Sequence, residues 1–491
     1  MKNKRSMGLC EPGPQRSAVL IPAARVAVAA LVLVLSLSCL QAGAEDWPKF
    51  GLDLANTSRS AETGIDSTNV QSLRTKWTFA TKNTVSATPA VATVNGTPML
   101  FIGTWDGVFY ALNAVTGKRI WSFKVDVGGK CVRKSCRIGS SAAVDTSQNL
   151  VFFGSATAYL YALNAASGTL VWKQSVGDSR EYEVWSSPAI YQGMVYVGVS
   201  AHGDAPCIPG GEVQAYDELT GDPVWSFNTI DQSTCPNGEN CVGGSVWSSV
   251  AIDDVNGIVY AGTGNPGSTC TPPSKNAGLY PDSILALSAS TGTLLNYFQA
   301  IKNDMNDRDF GASPTLHMTG ETNQCTQHST TEYWVSEPSK NGNVYIAKRD
   351  AKGLTGDVQK YKGGLSATAA VQATESVTSC SVDNKIIDYV NTIYIPGPKA
   401  FWVYLQDHQG KATLLAEDQL GQKPLYGAPA SIQDIALFGA NDGNLYASGA
   451  TGKILAKFGV GSIWGGIAIS GNRVYFGTVP GNIRCMSVDG K

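Results

Sequence analysis

Short apolar runs separated by glycine-containing polar turns recur along most of the chain. Runs of roughly four to eight apolar or alternating residues predict β-strands rather than helices. An eleven-residue segment repeats within this pattern: ALNAVTGKRIW ends at Trp121, ALNAASGTLVW at Trp172 and AYDELTGDPVW at Trp225. Degenerate copies begin at Ala286 and Ala447. Each copy predicts two strands joined by a tight turn, in which the glycine takes a positive φ.

A matching pair of apolar runs, such as SSPAIYQGMVYVG, precedes each copy. One unit is therefore about four antiparallel strands in roughly 40–55 residues, the size of a propeller blade. The sequence predicts an all-β, eight-bladed β-propeller; seven blades is the alternative, because residues 366–417 repeat poorly. The last unit lacks a strand that Leu73–Thr81 can supply, which would remove an open edge. The predicted blades begin near Val85, Ile138, Val184, Val246, Phe310, Ser366, Leu425 and Ile463.

The first 44 residues have a different composition. Basic residues precede the apolar run VAVAALVLVLSLSCL, and small residues follow at Ala42 and Ala44. This pattern is typical of a signal peptide cleaved after Ala44. We therefore expect a signal segment at 1–44, a propeller domain at 45–491 and a periplasmic or secreted location. An uncleaved membrane anchor and a lipid-modified Cys39 are the alternatives.

Charge and cysteine content limit the possible partners. A formal net charge of −2 without long runs of either sign does not favour nucleic acid. Two of the 11 cysteines lie in the first 44 residues, and the remaining nine suggest disulfides with one thiol left over. Cys131–Cys136 and Cys235–Cys241 are the local candidates. The four histidines are scattered and no CxxC or CxxCH occurs, which argues against a zinc site and a c-type haem.

The repeat resembles the tryptophan-docking motif of quinoprotein alcohol dehydrogenases, eight-bladed propellers that bind pyrroloquinoline quinone (PQQ) and Ca²⁺. DWPKFGLDLANTSRSAETGI is similar to the start of those enzymes, particularly the polyvinyl-alcohol dehydrogenase branch, and the likeness covers Glu45–Lys491. It implies PQQ- and Ca²⁺-dependent oxidation of secondary alcohols, polymeric or smaller. Because no haem-attachment motif occurs, we expect electrons to pass to a separate acceptor such as cytochrome c. Non-catalytic scaffold proteins of the cell envelope share this propeller, so a binding role is the alternative.

Three segments match the cofactor-binding motifs of that family. VWSSVAIDDVNGIVYAGTGNP supplies Trp247, which would stack on the quinone, and Asn265, a Ca²⁺ ligand. NDMNDRDFGASPTL supplies Asp307 as catalytic base and metal ligand, with Asp309 as second carboxylate and rival base. SKNGNVYIAKRD supplies Lys340, which would bind the quinone carbonyl oxygens. A hydrolase with paired aspartates is a third interpretation, but carboxylates this close in sequence seldom face each other across a bond.

Two matches depart from the family pattern. In CVRKSCRIGSS, Arg137 corresponds to the arginine that binds a quinone carboxylate, but Cys131 and Cys136 are not adjacent, so the family's vicinal disulfide is absent. VGVSAHGDAPC offers Asp204 as the third metal ligand where the family usually has glutamate. Asp204 is one carbon shorter and displaced by one position, which leaves room for a tighter Ca²⁺ site or a water in its place.

Overall fold

β-Strands make up nearly all of the regular structure, as predicted. The computed structural model describes residues 45–125, 136–201, 208, 210–231, 233, 241–267, 280–304, 306–364, 368–381, 384–397, 400–420, 425–479 and 481–488. The predicted signal segment lies outside these residues. The described part of the chain contains no helix long and apolar enough to cross a bilayer. Val70–Ser72 forms a short 3₁₀ turn.

The strands fall into two halves of the chain. The first half contains β1 Arg59–Ser60, β2 Leu73–Ala80, β3 Ala90–Val94, β4 Thr97–Gly103, β5 Val108–Asn113, β6 Arg119–Lys124, β7 Ala143–Asp145, β8 Leu150–Gly154, β9 Tyr159–Asn164, β10 Leu170–Ser175, β11 Tyr182–Glu183, β12 Ala189–Tyr191, β13 Met194–Ala201, β14 Glu212–Asp217, β15 Pro223–Asn228, β16 Ala251–Asp253 and β17 Ile258–Gly262. The second half contains β18 Ser283–Ser288, β19 Leu294–Gln299, β20 Thr315–Asn323, β21 His328–Ser339, β22 Asn343–Asp350, β23 Gly353–Lys362, β24 Ala370–Ser379, β25 Lys385–Pro396, β26 Ala400–Gln406, β27 Ala412–Gln419, β28 Ala430–Ile432, β29 Ile435–Gly439, β30 Asn444–Gly449, β31 Ile454–Gly459, β32 Ala468–Ser470, β33 Arg473–Thr478 and β34 Asn482–Val488.

These strands form seven hydrogen-bonded sheets within the described residues. Most are four-stranded antiparallel meanders, such as β3-β4-β5-β6 and β16-β17-β18-β19. One sheet has eight strands because two meanders, β20–β23 and β24–β27, join where β20 pairs with β25. In the last sheet, β2 lies beside β34 and supplies the fourth strand from the start of the chain, as the sequence predicts.

A ring of hydrogen bonds links the first strands of successive units. Two residues before most of these strands, a backbone N–H donates to the hydroxyl at the same position of the next unit. The donor–acceptor pairs are Thr88–Ser141, Ser141–Ser187, Ser187–Ser249, Ser249–Ser313 and Ser313–Thr368, at 2.8–3.0 Å. The last two units have Ala428 and Gly466 at this position, which carry no hydroxyl, so the series is interrupted there. Gly466 N donates to Thr88 Oγ1 at 3.0 Å, so the first and last units meet.

Tryptophans connect the outer strand of one sheet to the next sheet. The indole Nε1 atoms of Trp77, Trp121, Trp172 and Trp225 donate to the carbonyl oxygens of Ala114, Ala165, Glu218 and Ala289, at 2.8–3.0 Å. Each ring covers a turn glycine at positive φ; a Cβ added at Gly168, for example, would lie 2.6 Å from Trp121. The repeated glycine is thus required both by the turn and by the aromatic ring above it.

Asn296 occupies the tryptophan position of the degenerate copy that begins at Ala286. Its amide accepts from Leu354 N at 2.8 Å and donates to Leu354 O at 2.9 Å. A two-way amide contact with the next meander therefore replaces the indole contact at this junction.

The segment 47–60 crosses the first strands of the units. Its carbonyl oxygens accept from the backbone N–H of the second residue in six of these first strands. The donor–acceptor pairs are Val91–Trp47, Val144–Pro48, Ile252–Leu54, Leu316–Ala55, Val371–Thr57 and Ser431–Ser58, at 2.7–3.0 Å. The segment therefore ties six units together at one end of their first strands.

Cys325 and Cys380 form a disulfide that the sequence analysis did not anticipate. Cys136 and Cys241 are also disulfide-bonded. Their expected partners, Cys131 and Cys235, lie outside the described residues. Cys485 is a buried free thiol.

Ring closure can be tested with Thr88→Val, which keeps the shape of a side chain that is 4% exposed but removes the acceptor for Gly466 N. An unsatisfied buried N–H costs about 1–3 kcal/mol, so we expect a loss of that size in the free energy of unfolding. Thr75→Val, at an exposed position of β2, should change it by less than about 0.5 kcal/mol. Equal values for both variants in denaturant titrations would contradict the account.

Candidate cofactor site

The fold brings the predicted site residues together through their position in the repeat. Arg137, Glu183 and Asp309 each lie four residues before a hydroxyl of the ring, and Trp185 and Trp247 lie two residues before one. Side chains that are distant in sequence therefore lie at the same end of the propeller axis and at similar positions along it. The sequence analysis did not identify Glu183 and Trp185 as site residues, although they occupy the same positions in the repeat as the other site residues.

Lys340 is the centre of a charged cluster. Its Nζ lies 2.6 Å from Asp307 Oδ1, 3.0 Å from Asp309 Oδ1 and 4.8 Å from the centre of the Trp247 ring. Its backbone N–H also donates to Asp309 O at 2.8 Å. The structure thus brings together Trp247, Lys340 and both predicted carboxylates, Asp307 and Asp309.

Asn265 adjoins this cluster. Its backbone N–H donates to Asp309 Oδ2 at 3.1 Å, and its side-chain Nδ2 donates to Pro266 O at 3.0 Å. An amide oxygen has two lone pairs, and no group in the described part of the chain donates to that of Asn265. The oxygen is therefore available to a ligand.

The aspartate-rich loop divides its carboxylates between two tasks. Asp304 is fully buried, accepts the backbone N–H of Asn306 at 3.0 Å and pairs with Arg308 Nε at 3.0 Å, so it holds the loop's conformation. Asp307 has a φ of 55° and its side chain is 67% exposed. Asp309 is 2% exposed. One carboxylate thus faces solvent and another is enclosed behind it.

Arg137 forms a second charged group. Its Nη2 donates to both carboxylate oxygens of Glu183, at 2.7 and 2.9 Å, and Trp185 Nε1 donates to Glu183 Oε1 at 2.7 Å. The guanidinium lies 4.1 Å from the Trp185 ring centre and 5.8 Å from that of Trp105. Arg137 is thus fixed by an ion pair and two aromatic faces rather than joined to Lys340.

An axial cavity of about 140 Å³ lies between these aromatics and the hydroxyl ring. Trp185, Trp247 and Trp464 border it, together with Phe50 from the crossing segment. Pockets for small organic ligands usually measure about 300–1,000 Å³. This cavity is smaller than that range, and Phe50 of the crossing segment lines it together with the aromatic side chains.

Two further buried carboxyl groups, those of Asp282 and Glu337, interact with Asp309, and no motif in the sequence pointed to either. Burial, and then the charge of Asp309, raise the pKa of Asp282 to about 9 and that of Glu337 well above its usual value. Burial also raises the pKa of Asp309, although Lys340 opposes the shift. Burial lowers the pKa of Lys340, but Asp309 and Asp307 outweigh it, so the net change is a raised pKa. These surroundings therefore favour a charged Lys340 side chain and protonated carboxyl groups at Asp282 and Glu337.

Asp204, the remaining predicted ligand, lies outside the described residues, as do its immediate neighbours. Its role as a metal ligand stays a prediction.

Comparison with known proteins establishes the class. The family profile described as PQQ "Glucose/ethanol/alcohol dehydrogenase, beta-propeller domain" matches residues 47–353. A quinohemoprotein alcohol dehydrogenase of Comamonas testosteroni is 29% identical over 53% of this chain and 39% of its own. A polyvinylalcohol dehydrogenase of a Pseudomonas species is 27% identical over 53% of this chain and 41% of its own. This chain belongs to the PQQ-dependent alcohol dehydrogenase family.

Solved structures show the same fold at lower identity. The crystal structure of the Comamonas testosteroni enzyme has a TM-score of 0.68 at 19% identity, covering 91% of this chain and 81% of that one. BamB from Moraxella catarrhalis has a TM-score of 0.55 at 14% identity, covering 84% of this chain and 99% of that one. The Comamonas testosteroni enzyme and BamB thus share the fold of this chain. In sequence, the matches span about two fifths of the length of the curated relatives.

The buried proton of Asp282 predicts a pH dependence. Between about pH 4 and pH 9 the carboxyl is ionised in the unfolded chain but protonated in the fold, so this group makes stability fall as pH rises. Asp282→Asn removes that dependence. From about pH 5 to about pH 8 the variant should gain on the wild type by at most about 1.4 kcal/mol per pH unit.

The measurement is urea unfolding of chelator-treated proteins across that pH range. Asp350→Asn, at an exposed carboxylate, is the control and should follow the wild type. A difference between Asp282→Asn and wild type that does not change with pH would contradict a buried proton.

Proposed function

We propose that this protein oxidises alcohols to carbonyl compounds with PQQ and Ca²⁺. The observation that carries the proposal is the contact of Lys340 with Asp307, Asp309 and the face of Trp247. A flat aromatic face, a cation and paired carboxylates are the groups that a planar, anionic quinone and a divalent cation require. Family membership supplies the chemical class.

The donors at the site fit both groups. Ca²⁺ binds carboxylate and amide oxygens, and Asp307, Asp309 and Asn265 provide them within one cluster. Asp309 Oδ1 is shielded from solvent and faces Lys340 Nζ at 3.0 Å, so this carboxylate is held in a position next to the cation-binding oxygens. Asp204 would be a further ligand. Trp247 would support the quinone ring, and Lys340 and Arg137 would bind its oxygens. When bound, PQQ supplies the two-electron redox couple.

Asp307 is proposed as the base that takes the alcohol proton. Its carboxylate is mostly exposed, so a substrate can reach it, and Lys340 Nζ lies 2.6 Å from its Oδ1 and holds the side chain in place. Asp309 is enclosed, and one of its oxygens is held by Asn265 N. Its geometry suits a fixed metal ligand better than a group that must meet substrate.

The ring architecture belongs to the same proposal. We place eight four-stranded blades around the axis, counting the eight-stranded sheet as two. The hydroxyl ring and the contact of Gly466 with Thr88 support a closed circle, and the tryptophan contacts act as docking motifs between blades. Such a ring holds residues from several blades at a common axis.

The substrate, the electron acceptor and the cellular location are further parts of the proposal. Two curated relatives are named polyvinylalcohol dehydrogenases, so secondary alcohols, polymeric or small, are the proposed substrates. Electrons would pass to a separate acceptor such as cytochrome c. The signal-like sequence at 1–44 supports a periplasmic or secreted protein.

Binding of PQQ is the first test. In equilibrium dialysis with Ca²⁺, Trp247→Leu should bind PQQ at least about 10-fold more weakly than wild type, because it loses the stacking face. Tyr297→Leu, on outer strand β19, is the aromatic control and should bind normally. Wild-type protein without PQQ affinity would instead favour a non-catalytic binding or scaffold role.

The base is tested by activity. Asp307→Asn should lower dye-linked alcohol oxidation by about 10²–10⁴-fold, the usual contribution of a general base. It should still bind PQQ, and Asp350→Asn should keep full activity. If Asp307→Asn is active and Asp309→Asn is not, the base is Asp309.

A further inference from the structure

An extension of two meanders carries a second group of side chains whose types can bind metal ions. None of them belongs to the cofactor site. Strands β20 and β25 continue past their own meanders and pair with each other, Gly320–Asn323 against Ile386–Tyr389. The disulfide Cys325–Cys380 ties the turn after β20 to the end of β24. The extension is therefore held in a defined geometry by hydrogen bonds and a covalent link.

Glu321 on β20, Asp388 on β25 and His408 in the turn between β26 and β27 converge on this extension. Each offers one ligand atom, and the three atoms lie within 4.8 Å of one another. Two ligand atoms on one tetrahedral Zn²⁺ are about 3.3–3.6 Å apart, given metal–ligand bonds of about 2.0–2.2 Å. Side-chain movements of up to about 1.5 Å would bring all three atoms onto a metal ion.

Two carboxylates of this group face each other. Glu321 and Asp388 are direct cross-strand partners, and like charges in that position destabilise a sheet. Lys348 and Lys362 of the same sheet are paired with Glu332 and Glu417. Asp388 Oδ1 is shielded from solvent and makes no hydrogen bond, and His408 Nδ1 lies 3.3 Å from it, beyond the usual bond length.

We propose that Glu321, Asp388 and His408 bind a divalent transition-metal ion that links the two meanders of the eight-stranded sheet. One imidazole nitrogen with two carboxylate oxygens suits Zn²⁺ or a neighbouring first-row ion, with water completing the coordination. Two backbone hydrogen bonds hold the turn that carries His408. Asp407 N donates to Lys411 O at 3.0 Å, and Gly410 N donates to Asp407 O at 2.9 Å. The ion would replace the repulsion between the two carboxylates with a shared ligand.

The test is Zn²⁺ binding to the full protein, measured by competition with a chromophoric chelator, with Ca²⁺ in excess to fill the cofactor site. We expect one Zn²⁺ whose affinity falls at least about 10-fold in both His408→Ala and Glu321→Gln. His328→Ala, at an exposed histidine of the same sheet, is the matched control and should bind like wild type. Asp307→Asn should also leave this Zn²⁺ in place, which separates the result from the cofactor site.

Structure at the extension gives a second measurement. Zn²⁺ should slow amide hydrogen exchange in β20 and β25 of the wild type but not of His408→Ala. Wild-type affinity in His408→Ala, or no Zn²⁺ binding by the wild type, would overturn the proposal. Stabilisation on acidification without Zn²⁺ binding would also overturn it, because protonated His408 would then be the only cation needed.

Discussion

The hydrogen-bond ring at the axis is the constraint on which the rest of the structure depends. Where a backbone N–H of one unit donates to a hydroxyl of the next, the bond fixes the position along the axis at which the first strand begins. Residues two and four positions earlier then reach the same end of the axis. The cofactor-site groups Trp247 and Asp309 occupy these positions. One local contact, repeated around the axis, thereby sets the geometry of a site whose members are distant in sequence.

Electrostatics at that end of the axis oppose stability. Asp282, Asp309 and Glu337 are buried close together, and Lys340 is the cation that touches one of them. Burying charges of one sign costs free energy unless they are neutralised. Protonation of Asp282 and Glu337 lowers that cost, and a bound divalent cation would lower it further.

Local patterns predicted the strands and most of the site, because both are written in short segments. Trp172 and its partner Gly221 belong to the repeat, and the Lys340 and Asn265 motifs each span a few residues. Features that depend on pairing between distant strands were missed. The bond between Cys325 and Cys380 joins residues 55 positions apart and follows from the contact of β20 with β25. The convergence of His408 with Glu321 and Asp388 has the same origin, since spacing along the chain does not show which distant strands pair.

The most direct measurement is an experimental structure of the protein with PQQ and Ca²⁺ bound. The account predicts the quinone against the Trp247 ring, Lys340 Nζ within hydrogen-bonding distance of a quinone oxygen, and Ca²⁺ in contact with Asn265 and at least one of Asp307 and Asp309. A quinone bound elsewhere, or a cation that avoids all three oxygen donors, would contradict it.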